Sequence, residues 1–221
     1  MLAITALSGL AAGTAQATTT GHWTVGGIEV NSVFPVEMKG GSTTFNVPGL
    51  LQYSCSAYSS SEASILPGGK SEVGALTFTG CTLSSAPNCV MHTVGYPVGT
   101  LSYGPFLGEL VLANGHFVDI ISAKYPKAEY PLGQFKIEAT TGKTCSLSGT
   151  GKQYGSLAFE PSTVSAVDLA VTTNEKLTKE LEPGWVHFVG GLFSSTTYVG
   201  TYNSSMHITG KSAGQLLGAS L

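Results

Sequence analysis

From about residue 20 onward, apolar and polar positions alternate with a period of two, in short runs. Gln134 to Thr140 is the clearest run: Phe135, Ile137 and Ala139 fall on one side, and Gln134, Lys136, Glu138 and Thr140 on the other. That is the pattern of a strand with one wet face. Ser165 to Val171 separates Val167, Leu169 and Val171 from Ala166, Asp168 and Ala170, and Gly74, Leu76 and Phe78 alternate with Val73, Ala75 and Thr77. Similar runs predict strands over Trp23–Val30, Thr43–Val47, Leu50–Ser56, Glu109–Ala113, His116–Ser122, Trp185–Val189 and Thr197–Thr201. Turn signals divide them: Gly26-Gly27, Gly40-Gly41, Pro67-Gly68-Gly69, Thr141-Gly142 and Gly190-Gly191. Asn114-Gly115 between two apolar runs is the strongest hairpin signal. Many short strands with frequent turns predict an all-β, antiparallel sandwich or jelly roll rather than alternating βαβ units. One helix is predicted over residues 174–182, with Asn174 as cap, Leu177 and Leu181 on one stripe, and Pro183-Gly184 as the stop.

Composition narrows the setting. Charged residues make up 10% of the 221, and 29 are Gly, against roughly 25% charge and about 15 Gly for an ordinary chain of this length. Hydrophobic content of 42% and a net charge of −3 exclude a disordered chain. Every basic residue is Lys. Without Arg, which supplies the bidentate fork for phosphates and base edges, and without a basic run, nucleic acid is not an expected partner.

Residues 2–15 are apolar or small and lead into Ala15-Gln16-Ala17. This reads as an export signal over residues 1–17 that lacks the usual basic start. It is too short to anchor in a bilayer, and the mature chain offers no other membrane span. One domain is expected over 18–221, secreted or at the cell surface. The even set of four cysteines then implies disulfides. Zinc is disfavoured because Cys81 and Cys89 are too far apart for a ligand pair. Three pairings are possible; the spacing favours Cys81–Cys89 as a local clip and Cys55–Cys145 as a long-range staple.

The motifs predict no catalytic residue, metal site or cofactor. Gly210-Lys211-Ser212-Ala213-Gly214 has the spacing of a nucleophile elbow, but the residues after Ser212 include neither acid nor His. Gly69-Lys70-Ser71, Gly142-Lys143-Thr144 and Gly210-Lys211-Ser212 lack the upstream Gly of a phosphate loop, and Gly149-x-Gly151 lacks the third Gly of a dinucleotide fingerprint. Glu109 and Asp119 flank the Asn114-Gly115 hairpin and are the one carboxylate pair that could meet across it. His187 and His207 could meet across neighbouring strands. The positive lead is aromatic: Tyr198 and Tyr202 on one face of one strand, with Trp185, as rings that could stack on sugars. Tyr125-Pro126 and Tyr130-Pro131 share one loop.

His22-Trp23 after the signal, Cys55 ending a strand, Cys81…Cys89 followed by Gly95-Tyr96-Pro97, Cys145 closing a strand, Glu182-Pro183-Gly184-Trp185 and Thr209-Gly210-Lys211-Ser212-Ala213-Gly214-Gln215-Leu216 together resemble a family of secreted proteins of unknown function from soil actinobacteria. The chain departs from that family's pattern at Tyr96-Pro97-Val98, where Leu-Pro-Trp is expected. More distantly, the Cys-paired segment resembles exported bacterial biofilm-matrix proteins. The first resemblance implies export and disulfides; neither implies an activity. The expectation is an exported, non-catalytic structural or extracellular-matrix protein that assembles with itself through strand edges. The alternative is a module that binds a polysaccharide or another cell-surface ligand.

Overall fold

The computed structural model describes residues 19–123, 131–154, 157–161, 163, 165–166, 168–173, 185–190, 193–199, 201–211 and 214–221. Side chains are described for fewer of these; those of Glu72, Trp185, Tyr198 and Tyr202 are not among them. The residues read from sequence as a helix (174–182), as an export signal (1–17) and as a loop holding Tyr125 and Tyr130 lie outside the described residues.

Among the described residues the protein is all-β, with 23 strands and no helix. Nineteen strands join one antiparallel ladder network and four form a smaller sheet, a sandwich-like arrangement. No helix among the described residues is long and apolar enough to cross a membrane. The strand Phe34–Val47 is the spine of the large network. It pairs with Thr201–Gly210 on one side, and with Leu51–Cys55, Ala57–Ser61 and Ser64–Ile65 on the other.

Gly40-Gly41, read as a turn from sequence, sits inside that 14-residue strand. Ser204 faces Thr43 and Met206 faces Gly40, so three steps on one strand meet two on the other. The extra residue is a β-bulge, which bends a strand and increases its twist. Burial changes phase there: Val36 and Met38 point inward before it, and Thr43, Phe45 and Val47 after it. Gly40 also makes room, because a Cβ there would stand 2.0 Å from the Tyr58 ring.

The alternation at Gln134–Thr140 appears as the strand Gly133–Ala139, with Phe135 and Ile137 buried. Asn114-Gly115 is a two-residue hairpin turn between Phe106–Ala113 and His116–Ala123. Both residues have positive φ, at 54° and 82°, as a type I′ turn requires. Trp23–Val30, read as one strand, is a hairpin of His22–Val25 and Ile28–Glu29 folded at Gly26-Gly27. It belongs to the small sheet, which also holds Leu217–Ser220 and Ser165–Ala166. Trp23, 2% exposed, carries this sheet into the common core.

All four cysteines are oxidised, but not in the expected pairs. Cys55 bonds Cys81, and Cys89 bonds Cys145. The ladders explain the correction. Ser54 pairs with Thr82, which sets Cys55 beside Cys81. Cys89 opposes Ala139, and the turn after that strand returns Cys145 to it. Sequence proximity favoured Cys81–Cys89; strand pairing overrides it. Loops of these spans stabilise by roughly 3–4 kcal/mol each in the chain-entropy picture.

Candidate functional site

The Cys89–His92, Gly133–Ala139, Gly149–Tyr154 and Trp185–Gly190 strands lie side by side. Alternation turns Phe135, Ile137, Gly151 and Gln153 inward and leaves Gln134, Thr150 and Lys152 exposed. Gln134 opposes Lys152, and Lys136 opposes both Thr150 and His92, so polar groups form rows across the sheet. Lys136 is hydrogen-bonded to Glu138, which also accepts from His92 Nε2 at 3.2 Å. The Lys136 hydrogen bond, helped by its charge and by His92, holds the Glu138 carboxyl below its ordinary range.

At one end of these rows the surface opens into a groove of about 500 Å³. Its polar lining is Thr93, Ser102, Gln134, Thr150 and Lys152, and its apolar lining includes Val94, Pro105, Ala123 and Pro131. Thr93 fixes the wall where three segments meet. Its Oγ1 accepts the Ser102 N–H at 2.9 Å and donates to the Gln134 carbonyl at 3.0 Å. The Gly104 N–H donates to the Leu132 carbonyl at 2.8 Å and ties the Pro105 side to the residue that leads into the Gly133–Ala139 strand. Glycine shapes the floor: the Phe135 ring occupies the space above Gly151, and the Tyr103 ring that above Gly133. The 93–100 turn presents Val94 at the rim and Tyr96 and Val98 beyond it, 73%, 43% and 59% exposed. That turn is internally bonded, with Thr93 and Thr100 N–H donating to the Thr100 and Pro97 carbonyls.

An amide, three hydroxyls and an ammonium beside proline and valine surfaces can hydrogen-bond a polyhydroxylated ligand while its C–H faces rest on apolar groups. No carboxylate, histidine or cysteine stands among the described residues that line the groove. Likewise, no cluster of three metal-ligating side chains occurs among the described residues.

The sequence-predicted positions fare unequally. Glu109 and Asp119 do not meet: Asp119 opposes Leu110 and is buried, while Glu109 opposes Ile120 and is exposed. A one-residue offset in register puts them on opposite faces. His207 pairs with Asp168 at 2.9 Å. His187 shares ladders with Lys152 and Thr197, and His207 with Lys39 and Ala170, so the two are not cross-strand partners. Tyr198 and Tyr202 are not on one strand: Tyr198 opposes Val186 in Phe193–Val199, and Tyr202 opposes Phe45 in Thr201–Gly210. Trp185 opposes Tyr154 and Val199. The three side chains lie outside those described, so the stacking expectation is carried no further by them.

Gly149-x-Gly151 opens a strand paired on both sides, not a phosphate-binding loop. Its intervening residue, Thr150, and the following Lys152 are the groove residues that motif reasoning passed over. Their signal was the same two-residue alternation read at Gln134. No protein-family model matches this chain, and neither curated proteins nor solved structures provide a match.

Proposed function

We propose that the chain is an exported, non-catalytic protein that binds a polysaccharide or similar cell-surface ligand in the groove beside Gln134 and Lys152. The groove carries this reading: it is preformed on paired strands, has the volume of a small-molecule site, and mixes hydroxyl, amide and ammonium groups with apolar surface. Export is supported by two disulfides, which persist in oxidising compartments. It is also supported by the signal-like start and by the resemblance to secreted actinobacterial proteins.

A structural or matrix role through self-assembly is the second reading. Ile28–Glu29 lies at the edge of the small sheet with Ile28 70% exposed, and exposed edges recruit further strands. That edge is two residues long, which blunts it, so the groove is the better supported site.

A glycan array followed by calorimetry tests the first reading. The wild type binds at least one polysaccharide and releases no new reducing ends. Gln134→Ala combined with Lys152→Ala weakens binding about tenfold or more, at unchanged thermal midpoint. A blank array together with concentration-dependent assembly would transfer the case to the second reading, and released reducing ends would overturn the non-catalytic assignment.

A further inference from the structure

A second, much smaller space lies where the small sheet meets the large one. Trp23 of His22–Val25, Ser71 of Ser71–Val73 and Asp119 of His116–Ala123 line it, with Val36, Met38 and Ile208 as apolar wall. Its free volume is about 10 Å³, room for about one water molecule. Asp119 is 1% exposed and Ser71 7%. Ser71 Oγ donates to the carboxyl, 3.2 Å from Oδ1 and 3.3 Å from Oδ2. Gly108 opposes Ser71 in the ladder, and a Cβ there would stand 1.9 Å from Ser71 Oγ and 2.7 Å from Asp119 Oδ1. The pair therefore exists because position 108 has no side chain. The Trp23 indole Nε1–H is buried and finds no hydrogen-bond partner among the described residues.

The charges around Asp119 leave it alone. Its ladder neighbours are Leu110 and Phe159, both fully buried. On the packed strands, the titratable groups whose side chains are described are His22, Glu37, Lys39, Glu109, His116, Glu160 and His207. They occupy alternate positions that are exposed or half-buried, and none lines the chamber. Of Glu72, beside Ser71, only the backbone is described.

We propose that this chamber is a proton-operated seat for the small sheet: protonated Asp119 keeps the Trp23 strand docked, and loss of that proton loosens it. Burial pushes the Asp119 carboxyl up to about 7, with the Ser71 hydrogen bond pulling partly back. The native state therefore holds the proton more tightly than the unfolded chain does. The contribution is fully present below about pH 4, declines as pH rises, and is lost above about pH 7.

The test follows the Trp23 indole N–H of the full chain by nitrogen-15 NMR, with Trp185→Phe assigning the two indole signals. The expected result is a Trp23 shift titrating near neutrality and, once intrinsic exchange chemistry is removed, a tenfold or greater loss of Trp23 and His22–Val25 protection between pH 5 and pH 8. Asp119→Asn abolishes both. Ser71→Ala, which removes the hydrogen bond that favours the ionised form, moves the midpoint to higher pH, and it serves if Asp119→Asn does not fold. A Trp23 signal without a titration between pH 5 and pH 9, or protection lost equally from Gly133–Ala139, would overturn the proposal.

Discussion

The Phe135 ring lies across Gly151, its direct partner on the neighbouring strand, in the space a side chain at 151 would take. A Cβ there would stand 2.1 Å from the ring. Tyr103 over Gly133 and Tyr58 over Gly40 repeat the relationship, each pair in direct register. These rings belong to two series of tilted and edge-on contacts, Phe45–Tyr53–Phe135 and Tyr58–Phe78–Tyr103, which the Tyr53 and Tyr103 hydroxyls join at 3.2 Å. Gly151→Ala is therefore expected to cost about 1–3 kcal/mol through overpacking, lowering the thermal midpoint by roughly 2–4 °C per kcal/mol. Combining it with Phe135→Leu should cost less than the sum of the two single changes. Strict additivity in a denaturation cycle would refute the contact.

The disulfides give a chemical check on strand pairing. A non-reducing peptide map should show Cys55 with Cys81 and Cys89 with Cys145. Replacing Cys89 and Cys145 together with Ser should cost about 2–5 kcal/mol. A Cys81–Cys89 peptide in native material would contradict the ladder that sets Ser54 opposite Thr82.

Tyr58 sits at the bulge with its hydroxyl engaged: Oη donates to the Ser205 carbonyl at 3.0 Å and accepts from Ser204 Oγ at 2.9 Å. Burial pushes this phenol up to about 12. Its native value lies above the ordinary 10.0, so the stability it contributes is present below pH 10 and lost as pH rises toward 12. Tyr58→Phe should cost about 1–2 kcal/mol. In an ultraviolet titration, Tyr58 phenolate should appear only in the unfolding transition. Rapid ionisation near pH 10 of a tyrosine lost in Tyr58→Phe would count against burial.

Thr93 links groove shape to stability. Thr93→Val keeps the volume but removes the bonds to Ser102 and Gln134. We expect a loss of about 1–2 kcal/mol with weakened ligand binding. Val98→Thr, at a 59% exposed tip position, should stay within about 0.5 kcal/mol of wild type. Equal effects of the two changes in calorimetry would remove the wall role assigned to Thr93.

The class of fold was legible because half-buried strands write their burial as alternation. Gln134–Thr140 and the Asn114-Gly115 hairpin carried their structure locally. Gly40-Gly41 did not, since whether two glycines turn or bulge depends on Tyr58, a residue from another strand. Cysteine pairing and the fate of Asp119 failed for the same reason: register decides them, and register is a property of two strands. The groove was half visible. Gln134 was read as outward-facing, but nothing local to Thr93 or Lys152 says that three segments converge there.

Both covalent clasps fall between residues 55 and 145. The strand Thr201–Gly210, which completes the spine's other side, is joined to it by ladder hydrogen bonds. Tension applied beyond Cys145 would meet bonds that open one after another, while the segment between the clasps would resist as a cross-linked block. Under tension on the chain ends, the flanks on either side of the clasps would yield before the cross-linked block between them, and the groove wall carried by Thr93 and Gln134 belongs to that block.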